Sequence, residues 1–150
     1  MTANRFPRAA QRGFTLIELM ATLSIAGVLS SVALPSFEGV LHKARRSDGL
    51  IAAAQVQLAQ EAFRSRAAGY GSLAEIRIDP RSPAGHYTLD VSAPGATGYE
   101  LTLTATGAQA RDAACRVLKL TSRGLNVERA SGSDANATND ATANRRCWSL

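Results

Sequence analysis

An α+β fold is predicted, with a long N-terminal α-helix, apolar in its first half and amphipathic in its second, packed on a C-terminal antiparallel sheet of about four strands. Three observations carry it. From Phe14 to Pro35 the chain is a nearly continuous apolar run. Beyond Pro35 apolar residues recur at spacings of three and four, the period of a helix with one buried face. After residue 86 they alternate with polar ones, the period of half-buried strands.

The first run is long enough to cross a bilayer, for which roughly 20 residues suffice. Arg5, Arg8 and Arg12 precede it and, by the positive-inside tendency, hold that end in the cytoplasm while the rest crosses. Glu18 is the anomaly, because a charge in a membrane helix costs on the order of 3 kcal/mol and calls for a partner or a role. Snorkelling toward the interface is the alternative that needs no role. An ordinary secretory cut after Ala33 suits the small residues of Ser31-Val32-Ala33, but Glu18 and an apolar run reaching Phe37 count against it.

Pro35 breaks the local hydrogen-bond ladder and predicts a bend, not an end. In the second helical half Val40, Ala44, Ser47, Ile51, Ala54, Leu58 and Ala62 fall on one face, the expected buried one, with Lys43, Arg46, Gln57 and Glu61 opposite. Ala52, Ala53, Ala54 and Ala59 favour close approach of a sheet and raise helix propensity. The helix is expected to stop near Ala68-Gly69.

Residues 69–86 read as a loop broken by Pro80, Pro83 and Gly85, with a helical turn at Leu73 to Ile76. Tyr87, Leu89 and Val91 then share one face of a first strand, and Tyr99, Leu101, Leu103 and Ala105 one face of a second, with Pro94-Gly95 and Gly98 marking the turn. A third strand is expected across Cys115 to Thr121 and a fourth near Leu125 to Glu128, after the turn at Ser122-Arg123-Gly124. Short turns between consecutive strands favour an antiparallel meander. From Ala130 to Asn144 the composition is Ala, Ser, Gly, Asn, Asp and Thr, which predicts a flexible excursion burying little. Trp148 is expected to pack, with exposure beside Arg145 and Arg146 as the alternative.

The 150 residues suit one modest domain beyond the N-terminal segment. Formal net charge is +5, but without the three leading arginines 14 basic side chains face 12 acidic ones, so the overall balance says little about nucleic acid. Cys115 and Cys147 have no nearby histidine and poor zinc spacing; in an exported domain a disulfide is the better reading, free thiols the alternative. His42 and His86 are isolated, and there is no phosphate loop or serine elbow. No catalytic residue, metal site or cofactor is expected. Asn136-Ala137-Thr138 fits a glycosylation sequon, a weak three-residue pattern.

The string Gly13-Phe14-Thr15-Leu16-Ile17-Glu18, set just before an apolar helix, resembles the processing motif of type IV pilins and the related pseudopilins, and the resemblance covers residues 6 to about 65. It implies the pilin fold and a cut after Gly13 by a dedicated prepilin peptidase, which then methylates the new amine of Phe14. It also implies that Glu18 pairs with the terminal amine of a neighbouring subunit during assembly. The segments so implied are a cleaved leader (1–13), a transmembrane or filament-core helix (14–35), its amphipathic half (36–68) and a globular head (69–150). A Cys115–Cys147 bridge resembles the disulfide-bounded region of pilins; for the loop of about 33 residues it encloses, chain entropy gives roughly 3 to 4 kcal/mol. The residues Tyr87-Thr88-Leu89, and Thr102 to Ala110 followed by a cysteine, look most like minor pilins.

The implied location is the bacterial inner membrane, single-pass with the head outside the cytoplasm, and then an extracellular pilus. The implied partners are other pilin subunits and the peptidase. Two alternatives accompany this reading: a type II secretion pseudopilin, against which the cysteine pair counts mildly, and a minor pilin that binds DNA for transformation. For the latter, seven basic residues (Arg111, Arg116, Lys119, Arg123, Arg129, Arg145, Arg146) face four acids from Gly107 onward, a surplus whose ordinary reading is a solvated surface.

Overall fold

In a computed structural model, which describes residues 13–92 and 94–148 with the side chains of 34–36 excepted, the first described element is a 49-residue helix α1 (Leu16–Arg64). It is followed by β1 (Tyr87–Ser92), β2 (Gly98–Ala105), β3 (Val117–Arg123), β4 (Asn126–Gly132) and a closing helix α2 (Ala141–Trp148). Short 3-10 turns at Gly107–Arg111 and Ala113–Cys115 lie between β2 and β3. The chain divides into two compact units, residues 1–39 and 40–150, with α1 contributing to both. Apart from Gly13, the leader expected over residues 1–13 lies outside the described residues, as do the side chains around the bend expected at Pro35.

In the first unit the large apolar side chains, from Phe14 through Ile17, Leu23 and Val28 to Val32, stand exposed. Among the described residues α1 is the helix long and apolar enough to cross a membrane. Three of its hydroxyls are satisfied within the helix: Thr22, Ser24 and Ser31 donate to the carbonyls of Leu19, Met20 and Val28. That removes most of the cost of placing them in hydrocarbon.

In the second unit the four strands form one antiparallel sheet in the order β1-β2-β3-β4, the meander expected from the short turns. Leu103 stands opposite Leu89 on one side and Leu118 on the other, and Leu101 opposite Val91 and Leu120, so the alternating residues build one apolar sheet face. That face buries Ala52, Ala53 and Val56 of α1. Small residues are needed there: a Cβ on Gly49 would lie 3.0 Å from the Tyr87 ring. At the far end of β2, a Cβ on Gly98 would meet the Ser122 carbonyl oxygen, so this crossing of β2 and β3 admits only glycine without a shift.

Several boundaries and one face differ from the sequence expectation. The stripe Val40, Ala44, Ser47, Ile51, Ala54, Leu58 and Ala62 is the exposed face of the helix, with Ile51 at 52% and Leu58 at 73% exposure. The buried face is set instead by Arg46, Asp48, Gly49, Ala52, Ala53, Val56 and Gln60. Small size, not hydrophobicity, decides which side meets the sheet, and the buried polar groups find partners in the head. Gln60, for example, donates to and accepts from the backbone of Gly71 at 2.6 and 2.9 Å. The helix ends at Arg64, four residues early: Arg66 and Ala67 both bond back to the Phe63 carbonyl and Ser65 Oγ donates to that of Ala62, which tightens the last turn.

β3 begins two residues later than expected, because Ala113–Cys115 is a 3-10 turn. β4 runs on to Gly132. The polar segment after it is ordered as well, contrary to the excursion read from composition. Asp140 Oδ1 accepts the Ala143 amide at 2.7 Å and caps α2. The buried Asn144 joins Ser131 Oγ, the Arg129 carbonyl and Asn139. Trp148 is buried, its Nε1 donating to the Ala130 carbonyl and its ring lying under Arg129. The expected helical turn is present at residues 73–77, capped reciprocally by Ser72 and Glu75.

Candidate functional site

The candidate residues fall into two groups. In the first unit Gly13 and Phe14 are non-helical and exposed, immediately before α1. The Thr15 amide and hydroxyl donate to Glu18 Oε2 at 2.8 and 2.7 Å, and the Glu18 amide donates back to Thr15 Oγ1 at 3.3 Å. This Thr-x-x-Glu arrangement is a capping box. The nitrogen of Phe14 is here a neutral amide, and Glu18 serves as the cap of the helix.

In the second unit Cys115 and Cys147 are joined, their Cα atoms 5.4 Å apart. The bond ties the last turn of α2 to the 3-10 turn preceding β3. Arg116 and Arg146 each adjoin a bridged cysteine, so their Cα atoms lie within about 13 Å of each other. They and their sequence neighbours Arg111 and Arg145 are all exposed, so four basic residues lie close along the chain to the two ends of the bridge. Of the other three basic residues counted from Gly107 onward, Lys119 pairs with Glu100 at 3.2 Å, Arg129 covers Trp148, and Arg123 stands exposed at the far end of β3.

The same unit holds a polar network that the sequence reading missed. Arg46, expected on the solvent face, is buried, and its guanidinium forks onto Asp112 with Nε to Oδ2 at 2.6 Å and Nη2 to Oδ1 at 3.2 Å. Its third nitrogen, Nη1, donates to the Arg146 carbonyl at 2.9 Å. The fully buried Gln109 adds bonds from Nε2 to Asp112, the Tyr87 hydroxyl and the His42 carbonyl. Burial raises the Tyr87 phenol above its usual range, so it remains neutral in this network. Among the described residues every buried side-chain polar atom has a partner. Nothing local announces the pairing, since 66 residues separate Arg46 from Asp112.

Asp48, one turn before Ala52, fastens the loop ahead of β1. Its carboxylate accepts the Ser82 hydroxyl and the Ala84 and His86 amides. Burial pushes the carboxyl up, but these donors outweigh it and hold it below its ordinary value. A depressed folded-state pKa means that this stabilisation is fully present above the unfolded value, near pH 4, and is lost as pH falls through the folded one. Asp48→Asn is therefore expected to cost about 1.5–3 kcal/mol at neutral pH, with the gap to the unmodified chain closing below about pH 4. Thermal unfolding followed across pH checks it; a gap that is constant with pH contradicts it.

A membrane-length helix that continues as the support of a four-stranded antiparallel meander, with a disulfide-closed last segment, is the architecture of a pilin. Residues 8–34 match the prokaryotic N-terminal methylation motif. Residues 35–119 match the family described as type IV minor pilin ComP, DNA uptake sequence receptor, and the chain belongs to that family. It is 37% identical over 59 residues to a type IV major alpha-pilin of Moraxella bovis, covering 38% of this chain and 37% of that protein. It is 44% identical over 43 residues to the type IV major pilin protein PilE1 of Neisseria gonorrhoeae, covering 29% and 26% of the two chains. A fimbrial protein of Moraxella nonliquefaciens is 46% identical over 39 residues, covering 26% and 25%. These alignments thus span less than two-fifths of each relative's length. Arg111 and Arg116 fall inside the matched minor-pilin region, whereas Arg145 and Arg146 lie beyond it.

Proposed function

We propose that this minor pilin is cut after Gly13, methylated on the new Phe14 amine, held in the inner membrane by residues 14–35 with its head outside the cytoplasm, and then drawn into a surface filament whose heads contact DNA. The observation that carries the assembly step is the Thr15–Glu18 box at the start of an exposed apolar helix. Cleavage replaces the neutral amide of Phe14 with a cation. A neighbouring subunit's amine then offers Glu18 a charge-assisted partner that Thr15 does not, and the exchange sets axial register between subunits. The role is structural, and the protein partners are the prepilin peptidase and other pilin subunits.

The exposed face Val40, Ile51, Leu58 supports the same reading, because it is an apolar face with no covering in the subunit. Neighbouring helices in a filament cover it. Leu58→Glu is expected to change head stability by no more than about 0.5 kcal/mol, since the side chain is exposed. The same change is expected to cut recovery of the subunit in sheared filaments by about tenfold or more, a charge buried at the contact costing above 1.4 kcal/mol. Immunoblots of sheared and membrane fractions measure this, and normal recovery removes the face from the assembly surface.

DNA contact is supported by the family to which the chain belongs and by the four exposed arginines around the disulfide. A basic surface of this kind binds the phosphate backbone and releases counterions, so binding weakens steeply with salt.

A further inference from the structure

We infer that Arg46, although buried and out of reach of any phosphate, is a positioning residue for the basic surface at the disulfide. The inference rests on the DNA-binding reading above. Two geometric facts and one of sequence carry it. The Arg46 guanidinium spends two nitrogens on Asp112 and the third on the Arg146 carbonyl, so one side chain of α1 joins the segment bearing Arg111 and Arg116 to the turn bearing Arg145 and Arg146. Both partners of the ion pair are buried, with side-chain exposures of 9% and 4%, so the pair is shielded from solvent. Asp112 directly follows Arg111 and is the acidic residue nearest in sequence to Arg111 and Arg116.

Two consequences follow for a bound polyanion. Arg46 cancels the charge of the Asp112 carboxylate, which directly follows Arg111 and would otherwise reduce the attraction of these arginines for phosphate. It also fixes the carbonyl at the base of Arg146, so that the two α2 arginines and Arg111 and Arg116 present their charge in one arrangement, not as independent tethered groups. Only arginine has the three-nitrogen fork this requires; lysine supplies the charge without the geometry.

Fluorescence anisotropy of the full chain in detergent micelles, with a short labelled DNA duplex over a salt series, tests the inference. Arg145→Ala/Arg146→Ala removes two phosphate contacts and is expected to lower the slope of log affinity against log salt by about 2. Arg46→Gln is expected to weaken binding by about tenfold or more at low salt and to lower that slope by at least about 1, although no phosphate contact has been deleted. A merely destabilised head would bind less without changing the slope. Where Arg46→Gln does not fold, Arg46→Lys carries the test: a reduced slope supports positioning, and the unmodified slope overturns it. If Arg145→Ala/Arg146→Ala weakens binding while the Arg46 variants keep the full slope, the positioning inference fails and the DNA reading stands. If the unmodified chain does not bind the duplex at low salt, the DNA reading fails and the inference with it.

Discussion

Replacing Cys115 and Cys147 together by serine is expected to lower the stability of the head by about 3–4 kcal/mol. The bridge joins residues 32 apart in sequence, and removing it returns to the unfolded chain the loop-closure freedom that the bridge denied it. The expected opening is local before it is global. Without the bridge α2 keeps Trp148 on the Ala130 carbonyl, Asn144 on the Arg129 carbonyl and the Arg146 carbonyl on Arg46. Those contacts hold the segment after β4 more weakly than the sheet is held by its ladders, so α2 is expected to exchange its amides first. Denaturant unfolding of the oxidised and serine-substituted chains, with hydrogen exchange resolved on residues 141–148, measures both effects. Equal midpoints for the two chains would contradict a structural bridge.

Replacing Gly13 by leucine is expected to abolish filament incorporation, the largest effect on function. A Cβ at Gly13 would meet nothing within 4 Å, so the substitution leaves the fold of the subunit alone. What it changes is the residue at the proposed cut. The uncut chain then retains a neutral Phe14 amide, Glu18 stays committed to Thr15, and Phe14 offers no amine to a neighbouring subunit. The chain accumulates in the membrane fraction at its full mass. Filaments that contain the Gly13→Leu chain would show that assembly does not depend on this cut.

The elements that repeat with a clear period were legible in the sequence. Tyr87-Leu89 and Tyr99-Leu101-Leu103 alternate cleanly, and the sheet is built on that alternation. The membrane-length run needed only its length and composition. The buried side of the second half of α1 was misread because apolar residues occupy both sides of it. The larger ones, Val40, Ile51 and Leu58, drew the assignment, whereas the sheet selects the side that lets it come close. The alanines at 52 and 53 were the better guide. Arg46, Asp48 and Gln60 hide among them because a polar residue is ordinarily read as solvated, and their partners, Asp112, Ser82 and Gly71, are set by tertiary contact. The ordered segment after β4 was hidden by its polar composition, although Asp140 before Ala141-Thr142-Ala143 carried a visible helix start. Thr15-x-x-Glu18 and Ser72-x-x-Glu75 carried capping signals of the same kind.

The mature N-terminus connects these findings to function more directly than any other quantity. Mass spectrometry of the terminal peptide of the chain recovered from its native membrane is expected to show N-methylated Phe14, with the leader absent. A terminal Leu34 would mean a secreted protein released by an ordinary signal peptidase. An intact Arg12-Gly13-Phe14 sequence in the recovered chain would mean that Glu18 never meets the amine on which the proposed assembly depends.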